Sequence, residues 1–437
     1  MTSQPDVVPA EDTVITPLVV AQPLSRRARL VSGVSIVAAG LVCVFIWGLA
    51  ADPRDAVFSL SEGARIHLPN VTVSPLAAGV VLGSLIVVLG LWQIAQGFAP
   101  SRMNLVLGLV IVGFVIAFLC WSASANTGQP VSLLGLLQST VFLAVPLILG
   151  ALSGILCERT GVINIAIEGQ FLVGAFAASL ATSMAGSFGV GIAAAVIAGG
   201  LIGALLAVFA IRYLVNQVVL GVVINLLALG LTGFGYDALM QGDPNRYNNG
   251  AFLDPIKIPL LGDIPIIGPV LFDANIIVYL MYVLIVVIDV ALFRTRWGLR
   301  TRAVGEHPKA ADTVGIRVLR MRYQNVILGG MVAGLGGAYL TIGSVGIFNK
   351  NISSGKGFIA LAAVIFGRWS PRGAILAALL FGFSDALATL LSITGTPVDI
   401  PSSFLAMLPY LATLFAVAGL VGRVQAPAAD GQPYVKG

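Results

Sequence analysis

LLGLLQSTVFLAVPLILGALSGIL, residues 133–156, carries no charged side chain over twenty-four positions. A helix rises about 1.5 Å per residue, so about 20 apolar residues cross the roughly 30 Å hydrocarbon core of a bilayer. The stretch is therefore long enough to cross a membrane as one helix. A helix also satisfies its own backbone hydrogen bonds, which the bilayer cannot do.

The rest of the chain repeats this pattern. Of its 437 residues, 58% are hydrophobic and 10% are charged, with a mean hydropathy of +0.98, far from the balance of a soluble domain. We predict an all-α fold, a polytopic transmembrane bundle of 11 or 12 spans. The spans lie at about residues 30–50, 75–97, 104–121, 133–156, 165–184, 188–211, 217–238, 274–293, 323–347, 357–369, 372–392 and 402–421. The run near Gly357 is short enough to be a half-helix, and whether it crosses the membrane decides between 11 and 12 spans.

The spans suggest four regions. Residues 1–24, rich in Pro, Val and acidic side chains, are predicted to be a disordered cytoplasmic tail. Residues 25–132 hold three N-terminal spans, residues 133–423 a core with a basic loop at about 294–322, and residues 424–437 a second cytoplasmic tail. Within the core, Gly199 with Gly203 and Gly330 with Gly334 have the spacing that lets helix backbones approach closely. We expect such contacts within one subunit rather than a dedicated dimer face.

Basic residues predict the orientation, because Lys and Arg in short loops stay in the cytoplasm. Seven arginines and one lysine lie between Phe293 and Tyr323. If the spans alternate, this segment and both termini are cytoplasmic, and the loop from about Gln241 to Asp273 faces outside. The net charge of +5 is spread over such loops, which indicates membrane orientation rather than nucleic-acid binding.

Several classes of chemistry lack their motifs. The three cysteines and two histidines have no metal-ligand or disulfide spacing. A P-loop needs an upstream Gly and a hydroxyl after Gly-Lys, and Ser354-Gly355-Lys356-Gly357 has neither. No nucleophile and base pair is visible. The chain is therefore not expected to hydrolyse ATP or to be an enzyme.

Polar side chains inside apolar spans are the candidate transport residues, because each costs about 2.5 to 3.5 kcal/mol at the centre of a span. We predict that a translocation path is lined by Asn164, Glu168, Gln217, Asn225 and Asp385, with Gln170 a further candidate. The alternative is that such groups bond across helices. That alternative is preferred for Asp289, and Glu168 could instead cap a helix or pair with Arg159.

The basic loop contains a short helical pattern. Pro308 is a favoured first-turn residue and Gly315 a plausible C-terminal cap. Ala310 and Ala311 would permit close approach of a partner. We predict a short helix that docks in the groove of a soluble protein, in preference to a solvated basic loop.

Four blocks follow one another in a recognisable order: GVINIAIEG at 161–169, NQV at 216–218 followed by Asn225, RAVGEHPKAA at 302–311 followed by Gly315-Ile316, and GKGFIALAAVIFG at 355–367. Together they resemble the permease family of ABC importers for simple sugars, nucleosides and branched-chain amino acids, and most closely its nucleoside permeases.

The resemblance implies a permease subunit in a bacterial plasma membrane. Its positions for coupling to an ATPase correspond to Gly305, Glu306, Pro308, Ala310, Ala311 and Gly315. It also implies an ATP-binding cassette ATPase that carries ATP and Mg, a second permease subunit giving a heterodimer, an extracytoplasmic substrate-binding lipoprotein and contact with membrane lipids. No cofactor is expected in this chain, and the role of the three N-terminal spans stays open.

The sequence leaves more than one candidate for the transported solute and for the transport mechanism. A neutral nucleoside requires amides, hydroxyls and aromatic faces, which Asn164, Gln217 and Asn225 with Phe171 and Phe176 would offer. Simple sugars such as pentoses are the next candidates. A proton-coupled transporter that uses Asp385 or Glu168 is a rival mechanism, and a channel or a membrane enzyme is a weaker one.

Overall fold

The computed structural model describes residues 26–60, 69–125, 130–398, 400–405, 407–408 and 425–436. The predicted disordered tail, residues 1–24, lies outside these ranges. The chain forms two compact units, one of Met1–Val57 with Thr72–Gly128 and the other of Phe58–Val71 with Gln129–Gly437.

The first unit is a packed group of three helices. Gly83 faces Gly40 so closely that a Cβ on Gly83 would lie 2.8 Å from the Gly40 carbonyl oxygen. Only small residues allow this approach of two helix backbones in lipid. The helices are α1 (Arg26–Val44, continued by a π-helical turn at Phe45–Leu49), α2 (Pro75–Ala95) and α3 (Pro100–Ala123).

The second unit holds the other helices. They are α4 (Leu133–Glu158), α5 (Ile167–Ala185), α6 (Phe188–Ala207), α7 (Gln217–Gly235), α8 (Pro244–Tyr247), α9 (Ile267–Leu271), α10 (Ile276–Arg294), α11 (Arg296–Glu306), α12 (Pro308–Thr313), α13 (Val318–Leu340), α14 (Lys356–Phe366), α15 (Pro371–Thr394) and α16 (Ser402–Leu405). π-Helical turns extend three of them, at Val208–Arg212, Tyr236–Met240 and Thr341–Val345, and a short 3₁₀ helix lies at Leu261–Asp263.

Five short strands complete the described secondary structure. They are β1 (Ala56–Ser59), β2 (Val71–Val73), β3 (Val131–Ser132), β4 (Ile256–Lys257) and β5 (Asp273–Ala274). Phe58 pairs in parallel with Val131, and Ile256 pairs antiparallel with Ala274. The second pair brings together two parts of the long loop between α7 and α10.

The prediction of an all-α membrane bundle is confirmed. Within the described residues, nine helices are long and apolar enough to cross a membrane: Arg26–Leu49, Pro75–Ala95, Leu105–Ala123, Leu133–Glu158, Phe188–Arg212, Gln217–Met240, Ile276–Arg294, Val318–Val345 and Pro371–Thr394.

Three of the twelve predicted spans differ from these nine. The span predicted at 165–184 is α5, whose first turns carry polar side chains. The short run near Gly357 is the eleven-residue helix α14, so it is a half-helix. Most of the span predicted at 402–421 lies outside the described residues.

Helices α4 and α13 form the centre of the second unit, with 83% and 78% of their most apolar stretches buried. The close helix approach predicted at these glycines is confirmed, and the structure shows that the two pairs face each other. A Cβ on Gly199 of α6 would lie 2.3 Å from the Gly330 carbonyl oxygen of α13. Asp289 bonds across helices as expected, accepting from Arg372 Nη2 at 2.9 Å.

Candidate functional site

Helix α4 and helix α5 are separated by a non-helical stretch, residues 159–166, which we call the helix break. Short-range backbone bonds pair the N–H groups of residues 160–162, and side-chain amides hold the residues that follow. Gln217 Oε1 accepts from the Ile163 N–H at 2.7 Å. Asn164 Nδ2 donates to Ser153 Oγ at 3.2 Å and to Gln170 Oε1 at 3.1 Å. The break is therefore a defined structure rather than a loose loop.

Asn225 binds the backbone on both sides of the start of α5. Its Oδ1 accepts from the Gly169 N–H at 2.8 Å, and its Nδ2 donates to the Ile165 carbonyl oxygen at 2.9 Å. Gly221, one turn earlier on α7, touches Ile165, and a Cβ there would lie 2.7 Å from the Ile165 Cβ. Helix α7 is thus held against the break by two side-chain amides, those of Gln217 and Asn225, and by one close contact at Gly221.

Glu168 caps the half-helix α14. Its Oε1 accepts from Ser353 Oγ and from the Gly355 N–H at 2.8 Å, and its Oε2 accepts from the Gly357 N–H at 2.7 Å. A carboxylate in this position satisfies free N–H groups and opposes the positive end of the helix dipole. Of the structural alternatives for Glu168, helix capping is the one observed. Arg159 instead donates through Nε to the Trp369 carbonyl oxygen at 2.8 Å.

The first turns of α5 and α14 meet at this carboxylate. A Cβ on Gly357 would lie 2.5 Å from the Glu168 backbone nitrogen. Both helix N-termini therefore converge on one small region. Discontinuous helices of this kind form solute and ion sites in membrane transporters.

This meeting point lies beside the interior of α4 rather than at its end. A Cβ on Gly150 would lie 2.7 Å from both Ala360 Cβ and Phe171 Cζ. Gly150 precedes Glu158 by eight residues, or about 12 Å along a helix. The convergence of α5 and α14 therefore occurs within the span of α4.

The structure brings four of the five predicted path residues, Asn164, Glu168, Gln217 and Asn225, together around the helix break. The fifth, Asp385, is half-buried on α15 and interacts electrostatically with Lys356 at the start of α14. Ser353 was missed, and only the GKG motif that follows it pointed to this region. Phe171 is fully buried and Phe176 is half-buried against Phe348, with ring centroids 5.4 Å apart.

The basic segment, Arg296–Thr313, consists of α11 and α12 joined at His307. His307 Nδ1 accepts from the Ala310 N–H at 3.1 Å and so caps α12, whose first residue is Pro308. Gly315 has φ +85°, the left-handed conformation that favours glycine after a helix. The predicted short helix beginning at Pro308 and ending before Gly315 is therefore confirmed.

The predicted coupling positions divide between two faces. Gly305 is buried, and a Cβ there would lie 2.2 Å from the Arg159 carbonyl oxygen. Ala311 is also buried, in a cluster with Val304 and Val318. These two residues face their own chain, so a partner cannot contact them directly. The outward positions are the exposed Glu306, Ala310 and Gly315 and the half-buried Pro308.

The charges near the basic segment are partly screened from solvent. Arg159 and Arg302 lie over the Phe293 ring, 5.5 and 5.2 Å from its centroid. Burial lowers the pKa of Arg159, and the charge of Glu306 opposes that effect.

A cavity of about 760 Å³ opens between α11 and the start of α13, with Arg300, Arg317 and Arg320 on its walls.

Comparison with known proteins identifies the family. Residues 136–418 match the family model described as branched-chain amino acid transport system / permease component, which is more than half of the chain. The chain belongs to this permease family. It is therefore a multi-pass membrane transport subunit rather than an enzyme. No solved structure matches the chain.

The most similar relatives considered are permeases with nucleoside names. The guanosine ABC transporter permease protein NupQ of Bacillus subtilis is 41% identical over 69% of this chain and 97% of its own. The nucleoside ABC transporter permease protein NupC of Lactococcus lactis is 36% identical over 67% and 93%. Each of these two bacteria has a second, more distant permease of the same description, at 24% and 27% identity. A glucose permease of Haloferax volcanii is also similar, at 27% identity over 63% of this chain.

Proposed function

We propose that this chain is the permease subunit of an ATP-binding cassette importer and forms the translocation path for nucleosides. The observation that carries the proposal is the convergence of two helix N-termini on a buried carboxylate, beside a helix break rich in side-chain amides. The similarity to NupQ and NupC supports nucleosides as the solute class.

The electrostatics of the site favour a neutral solute. A free helix N-terminus attracts anions such as phosphate. Here Glu168 already occupies the N-terminal N–H groups of α14. A phosphorylated nucleotide would be repelled by that carboxylate, whereas a nucleoside carries hydroxyls and a base that amides can bind.

Transport would proceed by alternating access. In this structure the break engages the side-chain amides of Asn164, Gln217 and Asn225 in hydrogen bonds. A solute would therefore gain access to these amides when the break rearranges. A ligand shifts such an equilibrium only through unequal affinity for the two states. ATP bound at the partner ATPase would supply most of that bias, and the solute would supply little.

The proposed orientation places both termini and the basic segment in the cytoplasm of a bacterial plasma membrane. The exposed positions Glu306, Pro308, Ala310 and Gly315 would then meet the ATPase, which carries ATP and Mg. The unequal similarity to two permeases of one bacterium supports a heterodimer, in which this chain pairs with a more distant relative. An extracytoplasmic substrate-binding lipoprotein would deliver solute to the opposite side.

Uptake measurements in cells test the solute. Cells that express the chain with its ATPase and second permease should accumulate radiolabelled guanosine faster than cells without the chain. Unlabelled nucleosides should compete, whereas guanosine monophosphate, glucose and ribose should not. Competition by sugars alone would move the assignment to a sugar permease, the second candidate because of the glucose permease among the relatives.

A further inference from the structure

Residues 425–436, which we call the C-terminal segment, fold back onto the basic segment. The Ala429 N–H donates to the Gly305 carbonyl oxygen at 2.9 Å, and the Ala428 N–H donates to Glu306 Oε2 at 3.2 Å. Tyr434 is 6% exposed and packs with Val304 and Ala311. The segment was predicted as a simple tail, yet it contacts both α11 and α12.

The same segment contacts the helix break. Gly161 has φ +81°, and a Cβ there would lie 2.7 Å from the Ala429 carbonyl oxygen. A Cβ on Gly431, with φ +74°, would lie 2.7 Å from Ile163 Cδ1. Two glycines therefore allow backbone contact between the C-terminal segment and the break. The N–H of the same Ile163 donates to Gln217 Oε1.

A buried arginine fixes this arrangement. Arg322 on α13 is 2% exposed, and its Nη1 donates to the Gln432 carbonyl oxygen at 3.0 Å. Its Nε donates to the Thr160 carbonyl oxygen at 3.1 Å. One guanidinium thus joins the C-terminal segment to the break. Asp430 interacts electrostatically with Arg322 and Glu158.

We propose that the C-terminal segment transmits movement between the basic segment and the helix break. Gly305 lies against Arg159 and Gly161 at the start of the break, and the C-terminal segment extends that contact to Ile163. A displacement of α12 would therefore reach Ile163, whose N–H donates to Gln217, and the neighbouring residue Asn164. This role rests on the proposed function, because it requires an ATPase that moves the basic segment.

Point variants test the role in the complete transporter, purified with its ATPase and second permease and reconstituted in vesicles. Tyr434→Ala removes the buried anchor. Gly431→Ala introduces a methyl group against Ile163 and places a side chain at φ +74°, a left-handed conformation that favours glycine. Val435→Ala is the matched control, since Val435 is 66% exposed. The measurements are ATPase retention, ATP hydrolysis and guanosine imported per ATP hydrolysed.

Tyr434→Ala should keep the ATPase bound and hydrolysis within twofold of the unmodified transporter, while guanosine imported per ATP falls at least tenfold. Gly431→Ala should reduce that ratio severalfold, and Val435→Ala should leave it unchanged. If Tyr434→Ala lowers the yield of folded protein, Gly431→Ala alone decides the outcome.

Two results would overturn the role. Unchanged import per ATP in both variants would show that the C-terminal segment transmits nothing, and the importer assignment would survive. Dissociation of the ATPase from both variants would make the segment a docking element instead. Absence of ATP-driven guanosine import by the unmodified transporter would contradict the proposed function itself.

Discussion

Replacing Glu168 with Gln tests the cap that joins α5 to α14. The amide keeps the shape of the carboxylate, and its oxygen can still accept from Ser353 and Gly355. Its nitrogen, however, then faces the Gly357 N–H, so a donor meets a donor. The substitution removes one acceptor and the charge that opposes the dipole of α14.

The magnitude follows from these two losses. A buried N–H without an acceptor costs about 1 to 3 kcal/mol. Loss of a charge at a partly buried helix terminus costs up to about 2 kcal/mol. Together they weaken the cap by about 1 to 5 kcal/mol, and even 1 kcal/mol is about a fivefold change in an equilibrium constant.

Hydrogen–deuterium exchange measures this loss locally. The amides of residues 355–360 should exchange at least about fivefold faster in Glu168→Gln than in the unmodified protein, because exchange reports local opening. Glu306→Gln is the control, since Glu306 is exposed and accepts only from the Ala428 N–H among the described contacts. Equal exchange in Glu168→Gln and in the unmodified protein would refute the cap as the link between the two helices.

Three further predictions concern the other contacts. Asn225→Leu leaves the Gly169 N–H and the Ile165 carbonyl without their partner, and each unpaired group costs about 1 to 3 kcal/mol of stability. Guanosine uptake should therefore fall at least tenfold. The control Leu226→Ala, at a neighbouring side chain that is 63% exposed, should transport guanosine normally. Gly305→Leu should lower the Tm because of its clash with the Arg159 carbonyl. Ala310→Arg should keep the Tm and lose the ATPase on purification. The opposite pattern would mean that Gly305 faces the partner and Ala310 faces its own chain. Burial raises the pKa of Asp430 from 3.8 to about 7. Between these two pH values the carboxyl of Asp430 therefore keeps its proton while the segment is docked and loses it when the segment is released. Docking should strengthen as the pH falls from about 7 towards 4 and stay at its weakest above that range, where Asp430 is ionised in both states. Protease cleavage after Lys436 or within the segment should be faster at pH 8 than at pH 6; a rate independent of pH would contradict this.

Much of the fold could be predicted from local pattern. Apolar runs located the nine long helices, because each span needs about 20 apolar residues whatever its neighbours are. The start of α12 at Pro308 and its end before Gly315 were also local signals. The glycine spacing on α6 and α13 predicted that each helix would approach a neighbour closely, but not that the two would contact each other.

The connections around the site could not be predicted in the same way. The sequence marks Asn225 and Gln217 as costly in a membrane, but their backbone partners at Ile165 and Ile163 are distant in the chain. Which carbonyl or N–H a buried amide meets depends on helix packing. The polar pattern therefore located the site without giving its contacts.

The faces of the basic segment and the fate of the C-terminal segment also required the structure. Helix α12 has only six residues, too few for periodicity to show that Ala311 faces inward and Ala310 outward. The C-terminal segment has no apolar period, and its one buried aromatic, Tyr434, gives no sequence signal for docking. Its partners lie on α11, α12 and α13, far earlier in the chain.

Reconstituted vesicles give the most direct test of the central claim, that a partner ATPase drives a neutral nucleoside through this chain. The vesicles contain this chain, the second permease and the ATPase, with the binding lipoprotein on the side opposite the nucleotide. Radiolabelled guanosine should enter when ATP and Mg are supplied to the ATPase side, and should not enter with a proton gradient alone. Guanosine uptake driven by a proton gradient without nucleotide would contradict the account.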